Sequence, residues 1–585
     1  MSTIDLNEIT SPEAIRKMSI DELKQLAAEM RKALISKVSA HGGHVGPNLG
    51  MVEAVIALHY VFNTPEDKIV FDVSHQTYPH KMITGRMSAF TDVAHYDDVT
   101  GYTNPRESKY DLFSLGHTSS AISLASGLAK ARDMRGGKEN VVAVIGDGSL
   151  GGGVAFEGLD FGATLSSNFI VVVNDNNMSI AENHGGIYAD LRMLRNTKGE
   201  GEPNLFRSFG YAYRYVHAGN DLESLINMFR SVKDSDRPVV VHINTFKGLG
   251  LKVAEENQEK FHWSMPFDPE TGELLVSDSG EDYTDIFATE MLDQMAKNPQ
   301  VAVITAGTPG AIGFSKNRRI QAGKQFVDVG IAEQQAVDLA AGMAAGGVRP
   351  VFGVVSTFLQ RAYDQFSQDA ALNRQPAVFN VVYGSMFGMN DETHLGFFDL
   401  GLLSNIPGLL VLTPTSKEEY LSMLRWAISQ TKTPVVVRQP GGAVVHNPAA
   451  GLLDDYSRAE YEFVRKGSKV ALIGVGTFLS TMIEAADKLE AKGVSATVIN
   501  PRNVSVLDTA ALDSLKNYDV IITAEDGIID GGYGQKVASY LGEAPVKVVN
   551  LGLPKEFLNR FDVGEVQRAC GLTAEQIAER AAKLI

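Results

Sequence analysis

Short runs of apolar, mostly β-branched residues alternate with segments of helical spacing along the chain. Residues 141–145 and 169–173 are two such runs, and their length and continuity predict buried strands. A Gly-Asp-Gly sequence at 146–148 follows the first run and predicts a tight turn with positive φ. The order strand, loop, helix, strand, loop predicts parallel strands that place Asp147 and Asn176 at the same edge of one sheet.

Asp147 and Asn176 suit a hard cation, because carboxylate and amide oxygens are the ligands that such ions prefer. A cation held there would carry a phosphate group. Asp-Gly turns and asparagine-rich loops are also common without any ligand, so each half alone is weak. The Asp-Gly turn and the asparagine-rich loop together, in this strand order, indicate a cation site more specifically than either motif does alone.

The same alternation predicts many further elements. A Ser19–Glu22 capping box precedes apolar residues at helical spacing, which predicts a helix of several turns. Further helices are predicted at residues 121–131, 205–210, 222–232, 283–296, 478–492, 533–541 and 573–584. Further strands are predicted at 68–71, 213–216, 238–243, 301–305, 351–355, 376–383, 433–437, 470–476, 496–499, 520–525 and 546–550.

Regular alternation of strands and helices favours mostly parallel sheets covered by helices. Two stretches rich in Pro, Gly and acidic residues, at 266–280 and 446–460, look like linkers. We therefore predict an α/β protein of three consecutive doubly wound, mostly parallel-sheet domains. Their predicted ranges are 1–275, 276–446 and 447–585.

Composition excludes several classes of protein. The 585 residues carry a net charge of −17, which argues against nucleic acid as a partner, since phosphate backbones need clustered Lys and Arg. No apolar run approaches the length of a membrane span, and the first 18 residues lack a leader-like apolar region. A single cysteine, Cys570, excludes an internal disulfide framework. We expect a cytoplasmic protein without membrane contact.

Three histidines lie in predicted loops of the first domain: His44, His75 and His117. Neutral imidazole can donate a hydrogen bond to phosphate or to a developing alkoxide, so a converging polar site is one interpretation. The other interpretation is that the three histidines are ordinary polar loop residues. Lys247 follows a predicted strand and can reach a phosphate, although a solvated lysine is the simpler interpretation.

Glu333 lies at a predicted change from strand to helix and is preceded by apolar residues. A buried carboxyl has a raised pKa and can share a proton with a ring nitrogen. Phe358 follows the next strand, where an aromatic side chain can stack on a heteroaromatic ring or simply join the core.

An ordered set of motifs resembles the 1-deoxy-D-xylulose-5-phosphate synthase family, a branch of the transketolase-like thiamine-diphosphate enzymes. The motifs are GGHVG, FDVSHQTYPHK, SLGHTSS, IGDGS, NDNNMSI, DVGIAEQ, STFLQRAYDQ, DETHLG and VVNLGLP. The resemblance implies a diphosphate-binding, a pyrimidine-binding and a C-terminal transketolase-like domain in a homodimer. It also implies thiamine diphosphate and Mg²⁺ as cofactors, and a place in isoprenoid biosynthesis.

Roles for individual residues follow from the resemblance alone. Catalytic roles fall to Glu333, which would bond the aminopyrimidine and promote loss of the thiazolium C2 proton, and to His44, His262 and His394. Cofactor contacts fall to His75, Gly116, His117, Thr118, Gly148, Ser149, Asn176, Lys247, Phe358 and Arg361. Metal ligands would be Asp147, Asn176 and the carbonyl of Met178, and substrate contacts would be Tyr383, Asn390, Asp391 and Arg438.

The implied reaction joins pyruvate and D-glyceraldehyde 3-phosphate to give 1-deoxy-D-xylulose 5-phosphate and CO₂. The sequence departs from the family at the acceptor: Tyr383 and Gly441 stand where phosphate-binding arginines are expected, and Asn390 precedes Asp391 near an expected acid. Arg438 is retained. Two alternatives stay open, namely a paralogous transketolase-like enzyme acting on a ketose donor or a different, even unphosphorylated, aldehyde, and a non-catalytic cofactor-binding homologue.

Overall fold

A computed structural model describes residues 4–276 and 280–585. The chain forms two compact units, the first covering residues 1–279 with 330–332 and the second covering 280–329 with 333–585. Residues 277–279 of the predicted first linker lie outside the described residues. The predicted boundary near residue 446 lies within the second unit, and the three predicted domain ranges stay a prediction.

The first unit is built on a five-stranded parallel sheet in the order β2-β3-β4-β6-β5. β1 and β7 form a separate two-stranded antiparallel sheet. The strands are Gly43–His44 (β1), Lys68–Phe71 (β2), Val141–Gly146 (β3), Phe169–Asp175 (β4), Ala212–Val216 (β5), Pro238–Asn244 (β6) and Trp263–Ser264 (β7).

Twelve α-helical segments are described in the first unit. They are Pro12–Ile15 (α1), Ile20–His41 (α2), Gly46–Val61 (α3), Tyr78–Lys81 (α4), Ser88–Thr91 (α5), Ala121–Arg135 (α6), Asp147–Leu150 (α7), Gly153–Ala163 (α8), Ile187–Asn196 (α9), Leu205–Phe209 (α10), Leu222–Val232 (α11) and Lys252–Glu256 (α12). The predicted capping box is present, because Ser19 accepts from the Glu22 N–H while the Glu22 carboxylate accepts from the Ser19 N–H.

The second unit contains two sheets. A six-stranded parallel sheet has the order β12-β13-β11-β10-β8-β9, and a five-stranded sheet has the order β14-β16-β15-β17-β18 with only the edge strand β14 antiparallel. The strands are Val301–Thr305 (β8), Phe326–Asp328 (β9), Arg349–Val355 (β10), Val378–Val382 (β11), Leu410–Leu412 (β12), Val435–Arg438 (β13), Glu462–Arg465 (β14), Val470–Gly474 (β15), Ala496–Asn500 (β16), Val520–Ile528 (β17) and Lys547–Leu553 (β18).

Helices cover these two sheets. They are Tyr283–Lys297 (α13), Lys316–Ala322 (α14), Glu333–Ala345 (α15), Ser356–Leu359 (α16), Tyr363–Gln365 (α17), Asp399–Leu403 (α18), Lys417–Ser429 (α19), Phe478–Glu490 (α20), Thr509–Ser514 (α21), Tyr533–Tyr540 (α22), Val563–Ala569 (α23) and Ala574–Ala582 (α24). One apolar core draws on both sheets, since Ile304 and Phe352 of the first pack in the same cluster as Ile473 and Ile521 of the second.

The α/β class with mostly parallel sheets is confirmed, but the predicted conformation of one turn is wrong. Gly146 has φ −77°, and Asp147–Leu150 is a helical turn rather than a positive-φ turn. Gly148 is instead required for space, because a Cβ there would lie 2.9 Å from the Ser179 side chain. Across the described part of the chain, no helix combines the length and apolarity needed to cross a membrane.

Candidate active site

The carboxyl ends of β3 and β4 lie side by side in the first unit, with Gly146 opposite Asn174 in the parallel register. Asp147 follows β3 and is buried. Its Oδ2 accepts a hydrogen bond of 2.7 Å from Asn183 Nδ2. Burial, reinforced by the nearby Asp175 carboxylate, raises the pKa of Asp147 to about 8. A bound cation would offset both effects and favour the ionised carboxylate.

Lys247 is the positive group of this site. Its side chain is 1% exposed, and its Nζ donates to the backbone carbonyl of Ser179 at 2.7 Å. Burial lowers the pKa of Lys247 to about 8, while the Asp147 carboxyl opposes that change. The ammonium group is therefore held at the loop that follows β4, where it can meet an anion.

Two polar atoms of this region are buried without a hydrogen-bond partner among the described residues: Ser179 Oγ and Asn183 Oδ1. Buried polar atoms are normally paired, so such atoms are expected where a ligand belongs. A hydroxyl, an amide oxygen, the Asp147 carboxyl and the Lys247 ammonium form a donor set that fits a diphosphate with a hard cation. The residues present therefore fit the group that the sequence predicts.

Asp175, the last residue of β4, fixes the start of the loop that follows this strand. Arg195 Nη1 donates to Asp175 at 2.5 and 2.7 Å, and His242 Nε2 lies 2.9 Å from the same carboxylate. The Asn176 side-chain oxygen accepts from the Met178 N–H at 3.1 Å. The described residues contain no group of three or more His, Cys, Asp or Glu side chains in metal-binding proximity, so a cation here would rely on amide and carbonyl oxygens besides Asp147.

Three of the predicted histidines form a cluster in the first unit. The His44 ring centroid lies 5.1 Å from that of His75 and 5.8 Å from that of His262, and His75 and His262 are 5.1 Å apart. Burial lowers the pKa of His262 well below its ordinary value, and its Nδ1 has no hydrogen-bond partner among the described residues. The neutral ring thus offers a nitrogen to a ligand.

Asn48, in the first turn of α3, fixes two of these histidines through their backbones. Its Nδ2 lies 2.8 Å from both the His44 and the His75 carbonyl oxygens, and its Oδ1 accepts from the Tyr78 N–H. Asn48 is 1% exposed, so the arrangement is built into the core. The histidine loops are therefore set by one buried amide.

Gly116, His117 and Thr118 belong to a segment that is tied to the same edge of the sheet. The Asp72 carboxylate, just after β2, accepts from the backbone N–H groups of Ser119 and Ala121 at 2.8 and 2.9 Å. Ser119 Oγ donates to the carbonyl of Ser149, another predicted cofactor contact. The rings of His44, His75 and His262 contact one another. The segment that carries His117 is bound to Asp72 and to Ser149.

Glu333 begins α15 in the second unit and is 2% exposed. Arg361 Nη1 donates to its Oε2 at 3.2 Å. Burial raises the pKa of Glu333, and the Arg361 guanidinium opposes this effect without cancelling it. Glu333 is therefore a buried carboxyl poised to share a proton, as its position in the sequence predicts.

Phe358, in α16, packs edge-on against His394, with ring centroids 5.6 Å apart. His394 Nδ1 lies 2.8 Å from Thr393 Oγ1, and Thr393 Oγ1 donates to Asp391 at 2.6 Å. Burial alone would raise the pKa of Asp391, yet the nearby His394 and the hydrogen bonds from Thr393 lower it. Asn390 is exposed, and its amide donates to the Phe561 carbonyl at 3.3 Å.

Arg438 forms ion pairs with two buried carboxylates. Its Nε donates to Asp399 Oδ2 at 2.7 Å, and its Nη1 donates to Asp526 Oδ1 at 2.5 Å. Burial would lower the pKa of Arg438, but the two carboxylates outweigh it and raise the pKa. The guanidinium charge is therefore neutralised within the protein.

Tyr383 and Gly441, which replace expected arginines, lie in tightly packed surroundings. Tyr383 has φ +56°, packs against an apolar core and bonds Thr284 through its side chain. A Cβ on Gly441 would lie 2.9 Å from the Ser385 Cβ. Ser385 therefore fills the space that a side chain at 441 would need.

Sequence reasoning missed several residues that build these sites: Asn48, Asp72, Asn183, Asp399 and Asp526. Asp72 follows a strand at the same edge as Asp147, so the strand-end rule that selects Asp147 also selects Asp72. Nothing in the local sequence marks the other four, because each contacts residues far away in the chain.

Comparison with known proteins gives three consecutive matches. Residues 6–202 match the family model described as 1-deoxy-D-xylulose-5-phosphate synthase. Residues 280–445 match the transketolase pyrimidine-binding domain, and residues 459–577 match the transketolase C-terminal domain.

Curated relatives match over nearly the whole chain. The 1-deoxy-D-xylulose-5-phosphate synthase of Symbiobacterium thermophilum is 38% identical over 619 residues, covering 99% of this chain and 95% of that protein. The 1-deoxy-D-xylulose-5-phosphate synthase 1 of Geobacter sulfurreducens is 38% identical, covering 99% and 97%. Among solved structures, the transketolase of Campylobacter jejuni is 17% identical, with a TM-score of 0.45 over 97% of this chain and 100% of that chain. On its relatives' identity and coverage, the chain belongs to the 1-deoxy-D-xylulose-5-phosphate synthase family.

Proposed function

We propose that this protein condenses pyruvate with D-glyceraldehyde 3-phosphate to give 1-deoxy-D-xylulose 5-phosphate and CO₂, with thiamine diphosphate and Mg²⁺ as cofactors. The family is dependent on thiamine diphosphate. Support comes most directly from the buried residues at the carboxyl edge of the first sheet: Asp147 bonds Asn183, Lys247 bonds the Ser179 carbonyl, and Asn183 Oδ1 and Ser179 Oγ are buried without a partner among the described residues. That donor set suits a diphosphate with a cation.

Residues of the first unit would bind the charged end of the cofactor. Asp147, Asn176 and the Met178 carbonyl would hold Mg²⁺, and Lys247 would neutralise diphosphate charge. Gly148 and Ser149 lie in the helical turn after β3, where the missing side chain of Gly148 permits close approach of the Ser179 loop. Gly116, His117 and Thr118 would line the same edge, since their segment is tied to Asp72 and Ser149.

Residues of the second unit would bind the pyrimidine. Phe358 would stack on the ring, and Arg361 would stand beside it. Glu333, with its raised pKa, would share a proton with a ring nitrogen of the aminopyrimidine. When bound, the cofactor supplies the nucleophilic carbon and the electron sink that decarboxylation of a 2-oxo acid requires.

The histidines would handle protons around the reacting carbonyl groups. His262 offers an unpartnered Nδ1, and His44 and His75 lie beside it. An imidazole N–H can stabilise a developing alkoxide, and an imidazole nitrogen can later accept the proton of the new hydroxyl. His394, in the second unit, is assigned a catalytic role by the family resemblance.

Release of CO₂ tests the proposal. Purified protein with thiamine diphosphate and Mg²⁺ is given pyruvate with or without D-glyceraldehyde 3-phosphate. We expect release to depend on the aldehyde, and NMR to identify 1-deoxy-D-xylulose 5-phosphate as the product. The proposal fails if no aldehyde, phosphorylated or free, stimulates CO₂ release while the cofactor binds.

A second candidate is the same chemistry on an acceptor without phosphate, and the ion pairs of Arg438 favour it. Arg438 neutralises Asp399 and Asp526, Tyr383 is uncharged, and Ser385 blocks a side chain at Gly441. Each charge-assisted contact to a phosphate is worth about 1.5 to 3 kcal/mol, so their loss favours a neutral aldehyde.

Ratios of kcat/KM separate the two candidates. D-glyceraldehyde is compared with its 3-phosphate in the wild type, in Gly441→Arg and in Ser385→Gly/Gly441→Arg. If the acceptor is unphosphorylated, the wild type prefers D-glyceraldehyde, and only the double variant gains preference for the phosphate, because Ser385 no longer occupies the space. If the wild type prefers the phosphorylated aldehyde, the result supports D-glyceraldehyde 3-phosphate as the acceptor and contradicts the second candidate.

The proposed assembly is a cytoplasmic homodimer that acts on small molecules. The net charge of −17 disfavours nucleic acid, and the family resemblance supports two copies. Light scattering after size exclusion should give twice the mass of one chain, and a single-chain mass would contradict the dimer.

A further inference from the structure

Tyr102 adds a fourth ring to the histidine cluster of the first unit. Its ring centroid lies 5.6 Å from that of His44 at an interplanar angle of 69°, an edge-to-face arrangement. His75 and His262 pack against the same imidazole at 5.1 and 5.8 Å. The His44 ring is therefore contacted by a phenol ring as well as by two imidazoles.

The stretch that carries Tyr102 has no helix or strand of its own. It runs between the short helical turn Val93–His95 and helix α6, which begins at Ala121. Without the backbone hydrogen bonds of a helix or strand, the position of Tyr102 depends on side chains that bind the backbone on either side of it. Two acidic residues of the same stretch, Glu107 and Asp111, make these hydrogen bonds.

Glu107 holds the residues before Tyr102. Its Oε1 accepts from the Thr100 N–H at 2.7 Å, and Thr100 Oγ1 lies 2.8 Å from the Tyr102 carbonyl oxygen. The carboxylate is itself paired with Arg86 Nη1 at 3.1 Å and with Lys81. Because the Lys81 side chain is fully buried, the Glu107 carboxylate is held by a residue of the core.

Asp111 and Ser74 hold the residues after Tyr102. Asp111 Oδ2 accepts from the Asn104 N–H at 2.8 Å, and Arg86 binds the same carboxylate at 2.7 and 2.9 Å. Ser74 Oγ accepts from the Thr103 N–H at 2.8 Å. Since Ser74 directly precedes His75, the backbone beside Tyr102 is joined to the backbone of the histidine cluster.

We propose that Tyr102 is a positioning residue whose ring holds the His44 imidazole in the orientation that the carboligation reaction uses, an inference that rests on the proposed function. The observed contact is between the phenol ring and the imidazole ring. Tyr102 therefore acts through His44.

Two variants test this role in the holoenzyme. Tyr102→Phe keeps the ring, and Tyr102→Leu removes it. We expect Tyr102→Leu to lower kcat by about tenfold with little change in KM for pyruvate, and Tyr102→Phe to stay near the wild type. Tyr110→Leu is the matched control, because Tyr110 belongs to the same stretch and its ring is contacted by the Lys109 ammonium group at 5.3 Å.

A second readout does not depend on turnover. NMR of the imidazole ring protons, assigned with a His44→Asn variant, should show the His44 resonance displaced in Tyr102→Leu and retained in Tyr102→Phe. Unchanged turnover in Tyr102→Leu, or equal losses in both variants, overturns the inference, as does an unmoved His44 resonance. If the wild type itself shows no turnover with any aldehyde, the proposed function fails, and the NMR comparison still decides the role of Tyr102.

Discussion

Arg438 Nε donates a hydrogen bond to Asp399 Oδ2 across 2.7 Å, and through this contact β13 is joined to helix α18. The same guanidinium donates to Asp526 of β17, in the other sheet of the second unit. The Arg438 side chain is 5% exposed, and both carboxylates are buried. One arginine thus ties together the two sheets that share an apolar core.

Replacing Arg438 by methionine should strongly destabilise the second unit. The change leaves two buried carboxylates without their cation, and breaking a buried pair typically costs about 3 to 5 kcal/mol. Thermal unfolding followed by calorimetry measures the effect. Arg465→Met is the matched control, because Arg465 pairs with Asp487 at the surface, where such pairs contribute about 0 to 1 kcal/mol. Equal losses in the two variants would show that Arg438 has no special structural role.

Glu333→Gln should abolish turnover while leaving cofactor binding largely intact. The amide keeps the shape of the side chain but has no titratable proton, so turnover should fall by about 10² to 10⁴. Deuterium exchange at the thiazolium C2 of the bound cofactor, followed by NMR, should slow in parallel. Gln335→Ala, an exposed change two residues along α15, should exchange and turn over as the wild type does. Full exchange in Glu333→Gln would remove Glu333 from the mechanism.

The sequence predicts most of the strands and their ends, because their signals are local, but it does not predict the short strands β1, β7, β12 and β14. Runs such as 141–145 and 169–173 are continuous and β-branched, and the residues that follow them lie at one edge of the sheet. The sequence does not predict helix α3, because nearly all of its residues are buried and an amphipathic pattern is absent. The sequence predicts a positive-φ turn at Gly146–Gly148, whereas Gly148 is needed for clearance from the Ser179 side chain.

Side-chain partners distant in the chain could not be predicted. Asn183 reaches Asp147 across 36 positions, and Arg438 reaches Asp526 across 88. Neither pair leaves a periodic or spaced pattern, because only the folded sheet order brings the partners together. The family resemblance assigns Arg438 to the substrate, and that role stays a prediction, while the described hydrogen bonds of Arg438 go to two carboxylates of the protein.

Acid should destabilise the protein through His59 and His80. Both are buried, their ring nitrogens are 2.8 Å apart, and burial lowers the pKa of each below the ordinary 6.5. Below pH 6.5 the unfolded chain therefore binds protons that the folded chain does not, so stability present above pH 6.5 is lost as the pH falls. Each group contributes at most about 1.4 kcal/mol per pH unit.

The variant His59→Gln checks this assignment. Glutamine keeps an N–H donor for His80 but cannot titrate, so the loss of melting temperature between pH 7.5 and 5.5 should be smaller than in the wild type. His217→Gln, at an exposed position, should keep the full loss. If His59→Gln loses as much on acidification as the wild type does, the buried histidines are not the source.

Gly148→Ala should weaken cofactor binding, because the new Cβ would lie 2.9 Å from the Ser179 side chain and 3.0 Å from its Cα. Backbone must move to relieve that contact, and the Ser179 loop also carries Asn176 and Met178. We expect the dissociation constant for thiamine diphosphate with Mg²⁺, measured by calorimetry, to rise at least about tenfold, since a displacement that costs one or two kcal/mol has that effect. Gly153→Ala is the control, because a Cβ there meets nothing within 4 Å. Partial recovery in Gly148→Ala/Ser179→Gly would assign the loss to this contact, and equal affinities of Gly148→Ala and Gly153→Ala would contradict it.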